Sequence, residues 1–121
     1  CSTRTVECYN PKVVQASMGS LFRTSFYYME LEELFSINKE TISLPVFGTM
    51  MNGKNIFSTD LSDKGFILLG NEANGINKES EQYITQAISI PSFSTSTNKG
   101  PDSLNVAIAA GIVCAEFKRR Y

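Results

Sequence analysis

The 121-residue sequence contains no histidine. Ser-His-Asp and Cys-His catalysis by this chain alone are therefore excluded, because both use an imidazole to carry the proton. The cysteines Cys1, Cys8 and Cys114 are odd in number and widely spaced, with no imidazole to join them. Neither a disulfide framework nor a zinc site is expected, and a reducing cytoplasm is the expected compartment. Long apolar runs are also missing. The longest uncharged, mostly apolar stretch is Leu104 to Ala115, short of the ~20 residues that span a bilayer. No secretory h-region opens the chain. Nor is there a basic surplus: 11 Lys and Arg face 12 Asp and Glu, for a net charge of −1. Neutralising phosphates releases counterions, so nucleic-acid binders usually carry excess cations. Composition alone thus argues against an RNA partner, unless cations gather on one face or on another segment. The first residue is Cys1 rather than Met, as expected of a processed chain or a fragment.

What is present is an ordinary globular balance, 42% apolar and 19% charged, enough for one domain with one core. Pro11 to Phe22 reads as a helix with Pro11 in its first turn. Phe26 to Met29 reads as a short aromatic strand, and Glu30 to Ile37 as a helix. Leu44 to Phe47 reads as a strand stopped at Gly48, with Asn52-Gly53 as a turn. Gly65 to Leu69 is apolar throughout, as in a strand covered on both faces. Asn77 to Ala87 reads as a helix capped by Asn77, and Ile88 to Ile90 as a strand ended by Pro91. Ser103 to Arg120 reads as a helix of ~27 Å. Alternating strands and helices predict an α/β fold with a mostly parallel sheet.

Three segments carry candidate chemistry. Gly65 to Ile76 takes a buried strand into a turn holding Gly70, Glu72 and Gly75, then a helix. Ligands of open α/β sheets sit beyond the carboxyl ends of strands, and glycines let a ligand approach the backbone. The plain alternative is a strand-to-helix connection with Gly70 and Gly75 at positive φ. In the second segment, Asp102 or Ser103 can cap the last helix, and Asn105 falls in its first turn. That helix is nearly all apolar from Leu104 to Ala115, which predicts burial all round or a subunit interface. Lys118, Arg119 and Arg120 complement its carboxyl end. The third segment, Gly48 to Asn55, nearly spells a phosphate-binding loop. Asn55 stands where Ser or Thr must follow the lysine, however, and Ile56 to Lys64 leaves little room for a helix.

Taken together, the segments resemble the SpoU/TrmH-type RNA ribose 2′-O-methyltransferases of the SPOUT class. Lys12 to Arg23 looks like the close of the family's first motif region, Phe66 to Ile76 like the second motif, and Ile90-Pro91 with Ser103 to Ala107 like the third. The resemblance implies that residues 1–121 belong to one methyltransferase domain with a deep trefoil knot at its carboxyl end. It implies S-adenosylmethionine as cofactor, tRNA or rRNA as substrate, and a homodimer. Gly70, Ile90 and Leu104 would contact the cofactor, with Thr49 lining the same pocket. Glu72, Ser103 and Asn105 would form the polar catalytic side. The family's N-x-G-x-x-x-R stretch, expected ahead of Lys12, is absent, so an opening strand and helix are expected to be missing. Eleven residues separate Pro91 from Ser103, several more than usual. The competing expectation is a non-catalytic RNA-binding or dimerisation module on the same scaffold.

Overall fold

A computed structural model describes residues 1–71, 74–93 and 104–121. The chain divides into two units, residues 1–41 and 42–121.

In the first unit, helix α1 spans Pro11–Ala16. The Asn10 side chain accepts from the Lys12 N–H at 3.0 Å, and Pro11 needs no partner for a missing N–H. The expected run to Phe22 is interrupted. Met18 (φ 49°) and Gly19 (φ 83°) are left-handed, which no helix interior accommodates. The chain resumes as a 3-10 turn, Ser20–Arg23, whose Leu21 is buried. Phe26 to Met29 forms no strand. Instead the Tyr27 carbonyl accepts from the Cys1 amino group at 2.7 Å and the Met29 N–H donates to the Cys1 carbonyl at 3.1 Å. These two bonds stand in place of a ladder. Helix α2, Leu31–Ile37, buries Phe35 and passes into a π-helical turn, Asn38–Ile42.

The second unit holds three strands, β1 (Val46–Asn55), β2 (Phe66–Leu68) and β3 (Gln86–Ser89), in the order β2-β1-β3. Both pairings are parallel, so the expected α/β class holds. β2 covers less than the expected Gly65–Leu69, β3 begins two residues before the expected Ile88 and ends one before Ile90, and β1 covers more than expected. β1 does not stop at Gly48; it continues through Asn52-Gly53. Its first half pairs Thr49 with Ile88, and after a shift of register Lys54 again pairs with Ile88 and Asn55 with Ser89. Gly53 permits this, since a Cβ there would lie 2.4 Å from the Ile88 carbonyl carbon. The stretch resembling a phosphate loop is therefore strand. Helix α3 is only Lys78–Glu81; the expected extension to Ala87 gives way to β3. Thr85 marks the change, its hydroxyl accepting the Val46 N–H at 2.9 Å.

Helix α4 spans Val106–Arg120, about 22 Å at 1.5 Å per residue. Asn105 is its N-cap, with its side chain accepting the Ala107 N–H at 3.0 Å. Asp102 and Ser103, expected as caps, lie outside the described residues. The expectation of burial all round is not met in this chain. Val113 and Glu116 are buried, whereas Ile108 is 57% exposed. Only one face meets the sheet, where Val113 joins Phe47, Ile56, Leu61 and Ile88. Phe117 adds an edge-on contact with Phe47, with ring centroids 4.9 Å apart. Burying such side chains stabilises by roughly 1.5–3 kcal/mol each.

The carboxyl end of α4 also differs from expectation. Arg119 and Arg120 do more than complement the helix end. Both donate to the Glu116 carboxylate, at 2.8 Å. Arg120 further donates to the carbonyls of Ile56 and Thr59, and the Tyr121 hydroxyl to that of Leu61.

Candidate functional site at the ends of parallel strands

β2 ends at Leu68, β3 ends at Ser89, and the first paired stretch of β1 ends at Thr49. These carboxyl ends lie side by side because the strands are parallel. The Thr49 hydroxyl ties two of them by donating to the Leu68 carbonyl at 3.1 Å. A cleft of about 470 Å³ opens there, within the ~300–1,000 Å³ typical of small-molecule sites.

The walls of the cleft come from five places, one of them Glu81 at the end of α3. β1 and the residues around its register shift supply Thr49, Met50, Met51 and Asn52; the turn after β2 supplies Leu69, Gly70 and Asn71. The end of β3 supplies Ile88, Ser89 and Ile90, and the start of α4 supplies Leu104, Val106, Ala109 and Val113. Thr49, Gly70, Ile90 and Leu104, far apart in sequence, thus share one cleft.

The glycine turn is closed by a reciprocal pair of bonds. Asn71 N–H donates to the Gly75 carbonyl at 2.9 Å, and Gly75 N–H to the Asn71 carbonyl at 2.8 Å. Gly75 has φ +66°, a conformation that favours glycine. Gly70 does not share it, contrary to the plain reading of the turn. Gly70 is small for another reason: a Cβ would lie 2.4 Å from the Gly75 carbonyl carbon. Its lack of a side chain lets the turn close on itself.

Glu72 and Ser103 lie outside the described residues. Asn105 is not among the residues lining the cleft; it caps the helix that brings Leu104 and Val106 there. Several lining residues were not singled out from sequence: Asn52, Asn74, Glu81 and Ser89. Asn74 belongs to the quoted motif, and Glu81 falls in the first turn of α3, where an acid is ordinary. Ser89 is held by its hydroxyl, which donates to the Gly53 carbonyl at 2.8 Å.

The arrangement suits a ligand with an apolar, planar part and polar ends. Aliphatic side chains from three elements can cover a ring, while Asn52, Asn71, Asn74 and the turn's backbone offer donors and acceptors. Glu81 is the one carboxylate among the described lining residues, a natural neighbour for positive charge.

Comparison with known proteins gives this geometry its context. A curated relative, the 23S rRNA (guanosine-2′-O-)-methyltransferase RlmB of Neisseria meningitidis serogroup B, is 30% identical over 76 residues, 62% of this chain and 28% of its own length. A solved TrmH-family protein from Porphyromonas gingivalis superposes with a TM-score of 0.88 at 32% identity, over 99% of this chain and 47% of that one. An AdoMet-bound rRNA methyltransferase from Sinorhizobium meliloti gives a TM-score of 0.82 at 27% identity, over 98% of this chain and 44% of that one. The chain therefore spans less than half the length of these relatives. The profile of the SpoU rRNA methylase family matches residues 1–115, and the chain belongs to that family.

Proposed function

We propose that this chain forms the cofactor-binding part of an S-adenosylmethionine-dependent enzyme that methylates a ribose 2′-hydroxyl of rRNA or tRNA. The observation that carries the reading is the meeting of Thr49, Gly70, Ile90 and Leu104 in one cleft at the carboxyl ends of parallel strands. Two findings support it: the family membership, and the AdoMet-bound state of the Sinorhizobium meliloti relative. In this reading residues 1–121 belong to one methyltransferase domain whose tail, from Ile90 onward, forms a deep trefoil knot.

When bound, the cofactor supplies a methyl group on a sulfonium, open to attack by a hydroxyl. The chain's own work is to hold, align and exclude water. Ile90, Leu104 and Val106 provide the apolar wall, and the backbone of the Gly70–Asn71 turn meets polar edges. Glu72, Ser103 and Asn105 form the polar side, which orients the ribose and helps take up its proton. Glu81 adds negative charge to the cleft that receives a cation.

The face of α4 away from the sheet supports the homodimer. Ala107, Ile108, Gly111, Cys114 and Ala115 are exposed there, and obligate interfaces resemble a core cut in half.

Calorimetric titration with S-adenosylmethionine, followed by transfer of labelled methyl to rRNA and tRNA, tests the reading. Saturable binding and label recovered as a ribose 2′-O-methyl are expected. Absence of cofactor binding by the folded protein would overturn it.

A further inference from the structure

Five residues of α4 recur at alternating spacings of three and four: Val106, Ala109, Val113, Glu116 and Arg120. Such residues share one helix face. The first three line the cleft. The last two belong to a polar assembly at the opposite end of the helix, about 16 Å from Ala109 to Arg120 at 1.5 Å per residue.

That assembly grips the loop after β1. Arg120 Nη2 donates to the Ile56 carbonyl at 2.8 Å, Nη1 donates to the Thr59 carbonyl, and Nε donates to Glu116 at 2.8 Å. Arg119 holds the same carboxylate through two bonds of 2.8 Å. The Tyr121 hydroxyl reaches the Leu61 carbonyl. Ile56 and Leu61, which flank this loop, are buried in the core with Val113. A planar guanidinium fork fixes direction as well as distance, which a lysine ammonium cannot do.

We propose that Arg120, with Glu116 and Tyr121, is a latch that sets the rotation and axial position of α4, and through them the shape of the cofactor cleft. Arg120 is a positioning residue: its hydrogen-bond partners Ile56, Thr59 and Glu116 are not lining residues, but the helix it fixes carries a wall of the cleft. A turn of one residue about the helix axis is 100°. It would swing Val106 and Ala109 away and bring Ala107 and Ala110 round in their place. The inference rests on the function proposed above insofar as the cleft takes S-adenosylmethionine.

The test uses the whole chain with Arg120→Ala, Arg120→Lys and Tyr121→Phe. Each is titrated with S-adenosylmethionine at temperatures well below its own Tm, and amide hydrogen exchange is followed along α4. The expected result for folded Arg120→Ala is affinity reduced by about tenfold, since binding to a loosened wall must first order it. Faster exchange near Val106 to Ala109, far from the substitution, is expected alongside. Arg120→Lys should not rescue either readout, because charge without the fork cannot hold two carbonyls. Wild-type affinity and wild-type exchange in folded Arg120→Ala would overturn the latch. Should Arg120→Ala fail to fold, Tyr121→Phe decides: a smaller loss of affinity supports the latch, and unchanged affinity with unchanged exchange overturns it. If the wild type itself binds no cofactor, the proposed function falls. The latch is then judged on exchange alone, and unchanged protection in Arg120→Ala overturns it.

Discussion

A Cβ placed on Gly70 would lie 2.4 Å from the carbonyl carbon of Gly75. The two glycines thus serve one turn in different ways: Gly75 through its positive φ, and Gly70 through contact with its partner's backbone. A side chain at position 70 disturbs the turn before it meets any ligand.

Gly70→Val is accordingly expected to lose stability together with cofactor binding. Overpacking of this kind typically costs about 1–3 kcal/mol, and backbone rather than a flexible side chain is what must move here. Urea unfolding checks the stability, and titration checks the binding. Wild-type stability with lost binding would mean that the ligand, not Gly75, occupies the space over Gly70.

Leu104 offers a cleaner probe of the cleft. It is 49% exposed, so truncation removes little from the core. Leu104→Ala should leave the thermal midpoint nearly unchanged. It should weaken S-adenosylmethionine binding by roughly tenfold, the worth of about two buried methylenes. Calorimetry on the folded variant measures it, and full affinity would remove Leu104 from the binding wall.

Asn105 combines a structural role with a proposed catalytic one, and two substitutions separate them. Asn105→Ala removes the cap on α4 and should cost about 1 kcal/mol. Asn105→Asp retains an acceptor for the Ala107 N–H and should keep that stability. If methyl transfer falls in stable Asn105→Asp, the amide acts on the substrate side. If transfer persists, capping is its whole contribution.

Glu116 should leave a mark on acid unfolding. Hydrogen bonds from Arg119, opposed by burial and reinforced by Arg120, lower its pKa from 4.5 to about 2. A lowered folded-state pKa means that the unfolded chain binds the proton more readily. Its stabilisation is therefore present above about pH 4.5 and fades as the pH falls towards about 2. Glu116→Gln, which titrates in neither state, should show a shallower loss of stability across that window. Denaturant midpoints between pH 5 and pH 2 measure the difference in slope, and equal slopes would refute the assignment.

Much of this was legible in the sequence. The apolar run Gly65 to Leu69 announced a strand, and β2 lies within it, although of its residues only Leu68 is buried and Phe66 and Ile67 are half-buried. Asn10 and Asn77 stand where helix caps are needed, and both act as caps. Family order and spacing nominated Thr49, Gly70, Ile90 and Leu104, which line one cleft. These features depend on local propensity, on residues a few positions apart, or on a motif carried whole, so a linear reading reaches them. Other features were decided by tertiary structure. Asn52-Gly53 carries a strong turn signal, but Gly53 packs on the Ile88 backbone and Lys54 and Asn55 pair with β3, so strand β1 runs through it. Phe26 to Met29 has strand composition, but its backbone bonds go to the single residue Cys1 and not to a paired strand, and composition alone makes no strand. The last helix reads as apolar all round; which face it buries was settled by where Phe47, Ile56 and Ile88 lie. The grip of Arg120 on Ile56 and Thr59 joins residues 64 and 61 positions apart. No period or propensity encodes such a contact, since it exists only once the sheet has placed the loop after β1 beside the end of α4.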